Sequence, residues 1–230
     1  MQSHLNELYA GDPEPDSATV AAVQEAFARF VGDVEFPCLG AKSVLRRGKL
    51  RHSVRRNMTS RETARLLVHD LAHFSEATDW SQELSSYVVS FMTATGNSEK
   101  DFERGLWQLL QQVHDFDAKA WDPGVSSDPR SPHFGFSVAG RAYFLIGMHP
   151  AASRRSRRFT YPTIVFNAHE QFERLRAEGR FVGLKERIRV RDTRLQGCPN
   201  PMALDHGDAS EALQYSGRQR PSTWTPEFRP

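Results

Sequence analysis

The apolar residues Phe102, Leu106, Leu109, Val113 and Phe116 recur at steps of 4, 3, 4 and 3 after Ser98. That spacing predicts one amphipathic helix of about four turns with Ser98 as its cap. A stripe this long stabilises nothing unless a second layer covers it, so the rest of the chain must supply a sheet or more helices. Val20, Val23, Phe27 and Phe30 predict another helix from Ala18 to Val31, and Leu67, Leu71 and Phe74 predict a third. The third is expected to start at Thr59, because Thr59 and Glu62 have capping-box spacing.

Elsewhere the period changes. Ser86 to Thr93, Phe134 to Val138, Ala142 to Met148 and Thr163 to Asn167 read as strands, with Ala139 and Gly140 as a tight hairpin turn. A helix from His169 should end at Gly179. Helices and strands mix without regular βαβ alternation. The expected fold is a single α+β domain over 1–230, a central, mostly antiparallel sheet flanked by helices. An N-terminal arm (1–17) and a proline-rich tail (218–230) lie at its ends, and Asp192 to Ala209 reads as a loop.

Composition narrows the function classes. No apolar stretch reaches the roughly 18 to 20 residues of a membrane span, and the N-terminus lacks a basic-then-apolar leader pattern, so a cytoplasmic protein is expected. The net charge of +2 demands no polyanionic partner. Five of the 30 cations are lysine, leaving 25 arginines, the side chain suited to forked bonds with carboxylates and phosphates; GC-biased codon usage gives the same excess. Cys38 and Cys198 lie far apart and form no CxxC pattern.

Four patterns carry chemistry. His69 and His73, four apart in HDLAH, could face one metal, but Asp70 stands where a hydrolytic zinc motif needs Glu. The run Ser153 to Phe159 holds Arg154, Arg155, Arg157 and Arg158, and a looser basic run spans Arg46 to Arg56. Ser/Arg alternation after a strand suits a discrete anionic ligand better than a nucleic acid, and a solvated charged face is the plain reading. In Phe36-Pro37-Cys38-Leu39-Gly40-Ala41-Lys42, a turn can aim the N–H groups of Leu39, Gly40 and Ala41 at the sulfur; the alternative is a small core cysteine. The last third is dense in polar signatures that suggest a pocket without naming a reaction.

Together FPCLGAK, GMHPAASRRSRRF, VFNAHEQFERLR, IRVRD, NPM and SEALQYSGR resemble the YqcI/YcgG family, in particular its heme-dependent N-hydroxylases of guanidino and amino nitrogens. The likeness runs from about Phe36 to Arg218. It implies an enzyme with a noncovalent heme b, in keeping with the missing CxxCH, that uses O2 or peroxide to hydroxylate a free amino acid such as arginine or a cyclic relative; the alternatives are a non-catalytic heme-binding sensor and, behind it, an arginine-rich nucleic-acid-binding module. On that reading Cys38 is the expected axial ligand, with His149 next, then His169 and His114. Arg154, Arg157 and Arg158 are expected to clamp the propionates. Glu211 is the expected carboxylate for a guanidinium, with Asp192 or Glu170 as substitutes, and Arg218 the partner of the substrate carboxylate. His169 and Asn167 are the expected catalytic hydrogen-bonding residues. Cys198 receives no role. An electron-donor protein and a homodimer are open as partners; a nucleic acid or a membrane is not expected.

Overall fold

A computed structural model describes residues 14–81, 84–93, 96–202 and 207–230. Most of the expected N-terminal arm, residues 1–13, and residues 203–206 of the expected loop lie outside the described residues. The described chain runs α1 (Ser17–Gly32), α2 (Leu39–Arg46), β1 (Leu50–Asn57), α3 (Arg61–Ala77), β2 (Ser86–Thr93) and α4 (Glu99–Phe116). It continues through β3 (Phe136–Val138), β4 (Arg141–Met148), a 3-10 turn (Arg155–Arg157), β5 (Thr163–Ala168), α5 (His169–Ala177), α6 (Phe181–Gln196) and α7 (Ala212–Tyr215). Five strands form one sheet in the order β1-β2-β5-β4-β3. Only β1 and β2 run parallel, joined through α3, so the fold is α+β with a mostly antiparallel sheet, as the periodicity predicts.

Alternation along the central strands gives the sheet two different faces. Tyr87, Val89 and Phe91 of β2, Tyr143 and Leu145 of β4, and Ile164 and Phe166 of β5 point into the main core, where α3 and α4 cover them. Val88, Met148 and Val165 point the other way, toward Phe27 and Val31 of α1. The α4 stripe is buried from Phe102 to Val113, and Ser98 Oγ accepts the Asp101 N–H at its N-terminus. Ala139 and Gly140 take φ of 55° and 74°, the positive pair that a two-residue hairpin needs.

Three expectations change. The α3 cap residue is Ser60, without a side-chain bond, because Asn57 Oδ1 at the end of β1 already takes the Thr59 N–H at 2.9 Å and its hydroxyl at 3.1 Å. The basic run Arg46 to Arg56 largely becomes β1, an edge strand whose Arg55 reaches Asp70 at 2.5 Å. The expected loop from Asp192 begins as helix, since α6 continues to Gln196 and ends at Gly197 with φ of 86°.

The tail is part of the core. Phe228 is 6% exposed and its ring lies 6.0 Å from those of Trp107, Trp121 and Phe136. Buried Glu103 of α4 holds the segment leading there, accepting from Ser216 Oγ at 3.0 Å, Arg218 at 3.2 Å and Arg220 Nε at 3.1 Å. Phe228→Ala should therefore lower stability by ~3 kcal/mol, the scale of a core aromatic truncation, as read from urea unfolding; a change near zero would show that the tail is not bound to the core.

Candidate functional site

The second face of the sheet is not fully covered by α1, and the gap is a cavity of about 500 Å³, within the ~300–1,000 Å³ range of small-molecule sites. Its floor consists of side chains that alternation turns away from the core: Leu50, Ser86, Phe144, Ile146, Val165 and Asn167. Its walls come from α1 (Phe27, Val31), α2 (Gly40, Ala41, Val44), α5 (Gln171, Phe172) and α6 (Ile188, Asp192, Thr193). Aliphatic and aromatic groups dominate, and the polar groups that reach it are few.

Cys38 is one of them. It is the N-cap of α2, and its Sγ accepts the Ala41 N–H at 3.4 Å, so the turn after Pro37 does aim backbone donors at the sulfur. Burial nevertheless pushes the thiol pKa up, against the lowering effect of the Ala41 and Gly40 N–H groups. Among the described residues no histidine lines the cavity, which leaves Cys38 as its thiol donor.

The arginine run turns inward, and its members part company. Arg154 is buried and pairs with Asp192, and it also donates to the carbonyls of Cys198 at 3.3 Å and Pro199 at 3.2 Å. Arg158 is spent on the carbonyls of Ala152 at 2.8 Å and Ser153 at 3.2 Å. Both tie a loop together. Arg157 alone of the three lines the cavity, with Nη1 donating to Gly147 O at 3.2 Å and Tyr215 O at 3.1 Å. Burial brings its pKa down to about 10 against the pull of Asp192, so it remains a cation at neutral pH.

Asp192 shares this wall. Its carboxylate takes Arg154 on one oxygen and Ser156 Oγ at 2.8 Å on the other. Asn167 lies on the floor, accepting Ser86 Oγ at 2.7 Å and donating to Phe144 O at 3.3 Å. Gln171, which the sequence reading did not single out, is 2% exposed and accepts the Ser85 N–H at 3.0 Å. Its one signal was a glutamine on the inward face of a short helix.

The structure separates the other expected site residues from this cavity. His149 follows β4 and is stacked on Phe102 with ring centroids 4.4 Å apart, and it does not line the cavity with Cys38. His169 Nε2 meets Glu211 Oε2 at 2.9 Å beside Tyr215, against Gly135, and neither lines the cavity. Arg218 is held by Glu103, Glu170 pairs with Arg141, and His114 packs between Trp121 and Phe228. Cys198 is exposed beside Arg154. Among the described residues, no helix is long and apolar enough to cross a membrane.

The YqcI/YcgG family matches residues 27–228, a span that includes every residue lining the cavity. A Streptomyces lavendulae protein named "Putative N(omega)-hydroxy-L-arginine synthase DcsA" is 29% identical over 204 residues, which cover 83% of this chain and 76% of that protein. The uncharacterized protein YqcI of Bacillus subtilis (strain 168) is 28% identical over 152 residues, covering 63% of this chain and 60% of YqcI. No solved structure matches this chain.

Half-buried His52 of β1 and buried His149 just after β4 are neutral at pH 7. Desolvation lowers the pKa of both His52 and His149 from 6.5 to about 4. Between those values the unfolded chain binds protons that the native state refuses, so stability is full above about pH 6.5 and declines as pH falls toward about 4. His149→Phe, which keeps a ring on Phe102, should make the urea-unfolding free energy depend less steeply on pH in that window. An unchanged slope would show that His149 is not buried neutral.

Proposed function

The chain belongs to the YqcI/YcgG family, and from that premise we propose that it is a heme-dependent N-hydroxylase acting on a guanidino nitrogen of a free amino acid. The observation that carries this reading is the pairing, in one apolar cavity, of a cysteine thiol at a helix N-cap with a half-buried arginine. The name of the Streptomyces lavendulae relative supports the reaction class and arginine as the substrate type.

The donor set suits heme b. Cys38 would offer a thiolate to the iron, since metal coordination deprotonates a thiol whose pKa burial alone raises. Arg157 offers a cation to a propionate; Arg154 and Arg158 support that wall through the loop contacts they make instead. The apolar floor and the rings of Phe27, Phe144 and Phe172 fit a flat macrocycle and exclude water. When bound, such a group would supply oxygen activation, which an electron-rich thiolate donor would favour.

The protein's share is orientation and charge. Of the three carboxylates considered for the substrate guanidinium, Asp192 is the one that lines the cavity, and its two oxygens are already oriented by Arg154 and Ser156. Asn167, pinned between Ser86 and Phe144, presents its remaining amide N–H to the same space as a hydrogen-bond donor. His169, outside the cavity, orients Glu211 and the α7 segment.

Titration of the protein with hemin should give a saturable Soret band, and its ferrous-CO form the red-shifted band of a thiolate heme. Cys38→Ser should lose that shifted band, and Arg157→Lys should weaken hemin binding about tenfold, the scale of one charge-assisted bond. Incubation of arginine with reductant and O2, or with peroxide, should yield an N-hydroxylated product by mass spectrometry. Absence of saturable hemin binding would end this reading; carbon-oxygenated products would change only the reaction.

A further inference from the structure

The outer wall of the cavity carries an uneven charge. Helices α2 and α6, which pack against each other, hold seven cations and two acids, although the whole chain has a net charge of only +2. The remainder of the chain is therefore net negative. One of the two acids, Asp192, is buried against Arg154 and does not offset the surface.

What these cations bind matters more than their number. Arg46 and Arg187 are exposed, and their Nε atoms donate to carbonyls of their own helices, Lys42 O at 3.3 Å and Gly183 O at 3.1 Å. Arg191 donates to Val34 O at 2.5 Å and Phe36 O at 3.0 Å, and Lys42 Nζ to Asp33 O at 2.5 Å and Val34 O at 3.2 Å. A carbonyl satisfies a donor without cancelling its charge. Several arginines outside this face meet carboxylates, Arg55 with Asp70, Arg130 with Asp128 and Arg218 with Glu103, whereas Arg157 and Arg158 meet carbonyls as these do. Desolvation and then Arg191 push the pKa of Lys42 down, with Asp33 opposing, which marks mutual repulsion at this seam. Asp33, Glu35 and Glu186 are the exposed acids nearby in sequence.

Of the three large hydrophobics exposed on the described surface, Val182 at 61% and Val190 at 60% lie on α6, and Val34 at 79% lies in the turn before α2, where its carbonyl meets Lys42 and Arg191. Exposed cations with single apolar side chains among them suit a transient protein interface, in which charge steers encounter. Single-stranded nucleic acid would instead call for exposed aromatic platforms, and the large hydrophobics exposed here are valines.

We propose that the α2–α6 face docks a small acidic one-electron carrier protein of the ferredoxin type. The inference rests on the N-hydroxylase reading in its O2-dependent form. There an N–H becomes N–OH, the second oxygen atom leaves as water, and the balance takes two electrons from the carrier and two protons from solvent. Helix α2 starts at Cys38, so a carrier seated on Lys42 and Arg46 stands on the thiol side of the cavity.

A plant-type [2Fe–2S] ferredoxin is the probe, with binding followed by surface plasmon resonance at increasing salt. Wild-type protein should bind it, with affinity falling as salt rises. The Arg46→Glu/Arg187→Glu double variant should bind about tenfold or more weakly with a flatter salt dependence, as expected for removal of steering charge. Its melting temperature and hemin spectrum should match wild type. Unchanged ferredoxin binding by the variant, or wild-type binding to duplex DNA with none to ferredoxin, overturns the proposal. Failure to bind hemin is a separate result that bears on the N-hydroxylase reading and leaves the docking measurement intact.

Discussion

Strict alternation of side chains along β2, β5 and β4 is the constraint on which both halves of the molecule depend. In β5, Ile164 and Phe166 enter the core while Val165 and Asn167 form the floor of the cavity. Register then brings Ser86, Asn167 and Phe144 side by side across three strands, with Asn167 bridging its neighbours. A slip of one residue in β5 would put the Asn167 amide into the core and the Phe166 ring into the cavity. The α4 stripe opposes such a slip, since its fit against Tyr143, Leu145 and Phe166 exists in one register only.

Buried charge is the second organising element. Arg154 with Asp192 and Glu103 with Arg218 and Arg220 each take ions out of water, which is unfavourable unless every lone pair and proton finds a partner. Added hydroxyls and carbonyls meet most of that condition, Ser156 and Cys198 O in the first and Ser216 in the second, while Arg154 Nε keeps no partner. Their value lies in position. The first joins the 3-10 turn to α6 and so sets one cavity wall; the second draws residues 216–220 over α4 and leads the chain to Phe228 in the core.

These two elements account for the form of the candidate site. Its apolar floor comes from the sheet, its thiol from a helix cap, and its cation from a turn held by an ion pair that is itself buried. None of the three is a loop free to drift, which suits a site that must orient a ligand rather than wrap around it. The same helices that close the cavity carry the carbonyl-bound cations of the outer face, so the site and the charged surface share their supports.

Much of the fold is legible in local pattern, because period decides helix or strand and one face of each element must be buried. The α4 stripe, the hairpin at Ala139 and Gly140, and β2, β4 and β5 follow from that rule. It failed for β1 and α6, where arginines occupy most outward positions and mask the apolar period, and for the tail, whose single Phe228 carries no period. Membership of the site was less legible. Sequence marked Cys38, Arg157, Asn167 and Asp192 by residue chemistry, and tertiary structure brought them to one cavity. It placed His149 against Phe102, outside the cavity, and paired His169 with Glu211 elsewhere, because which face a side chain joins depends on register and on strand ends. That information lies in long-range pairing and not in any local run of residues.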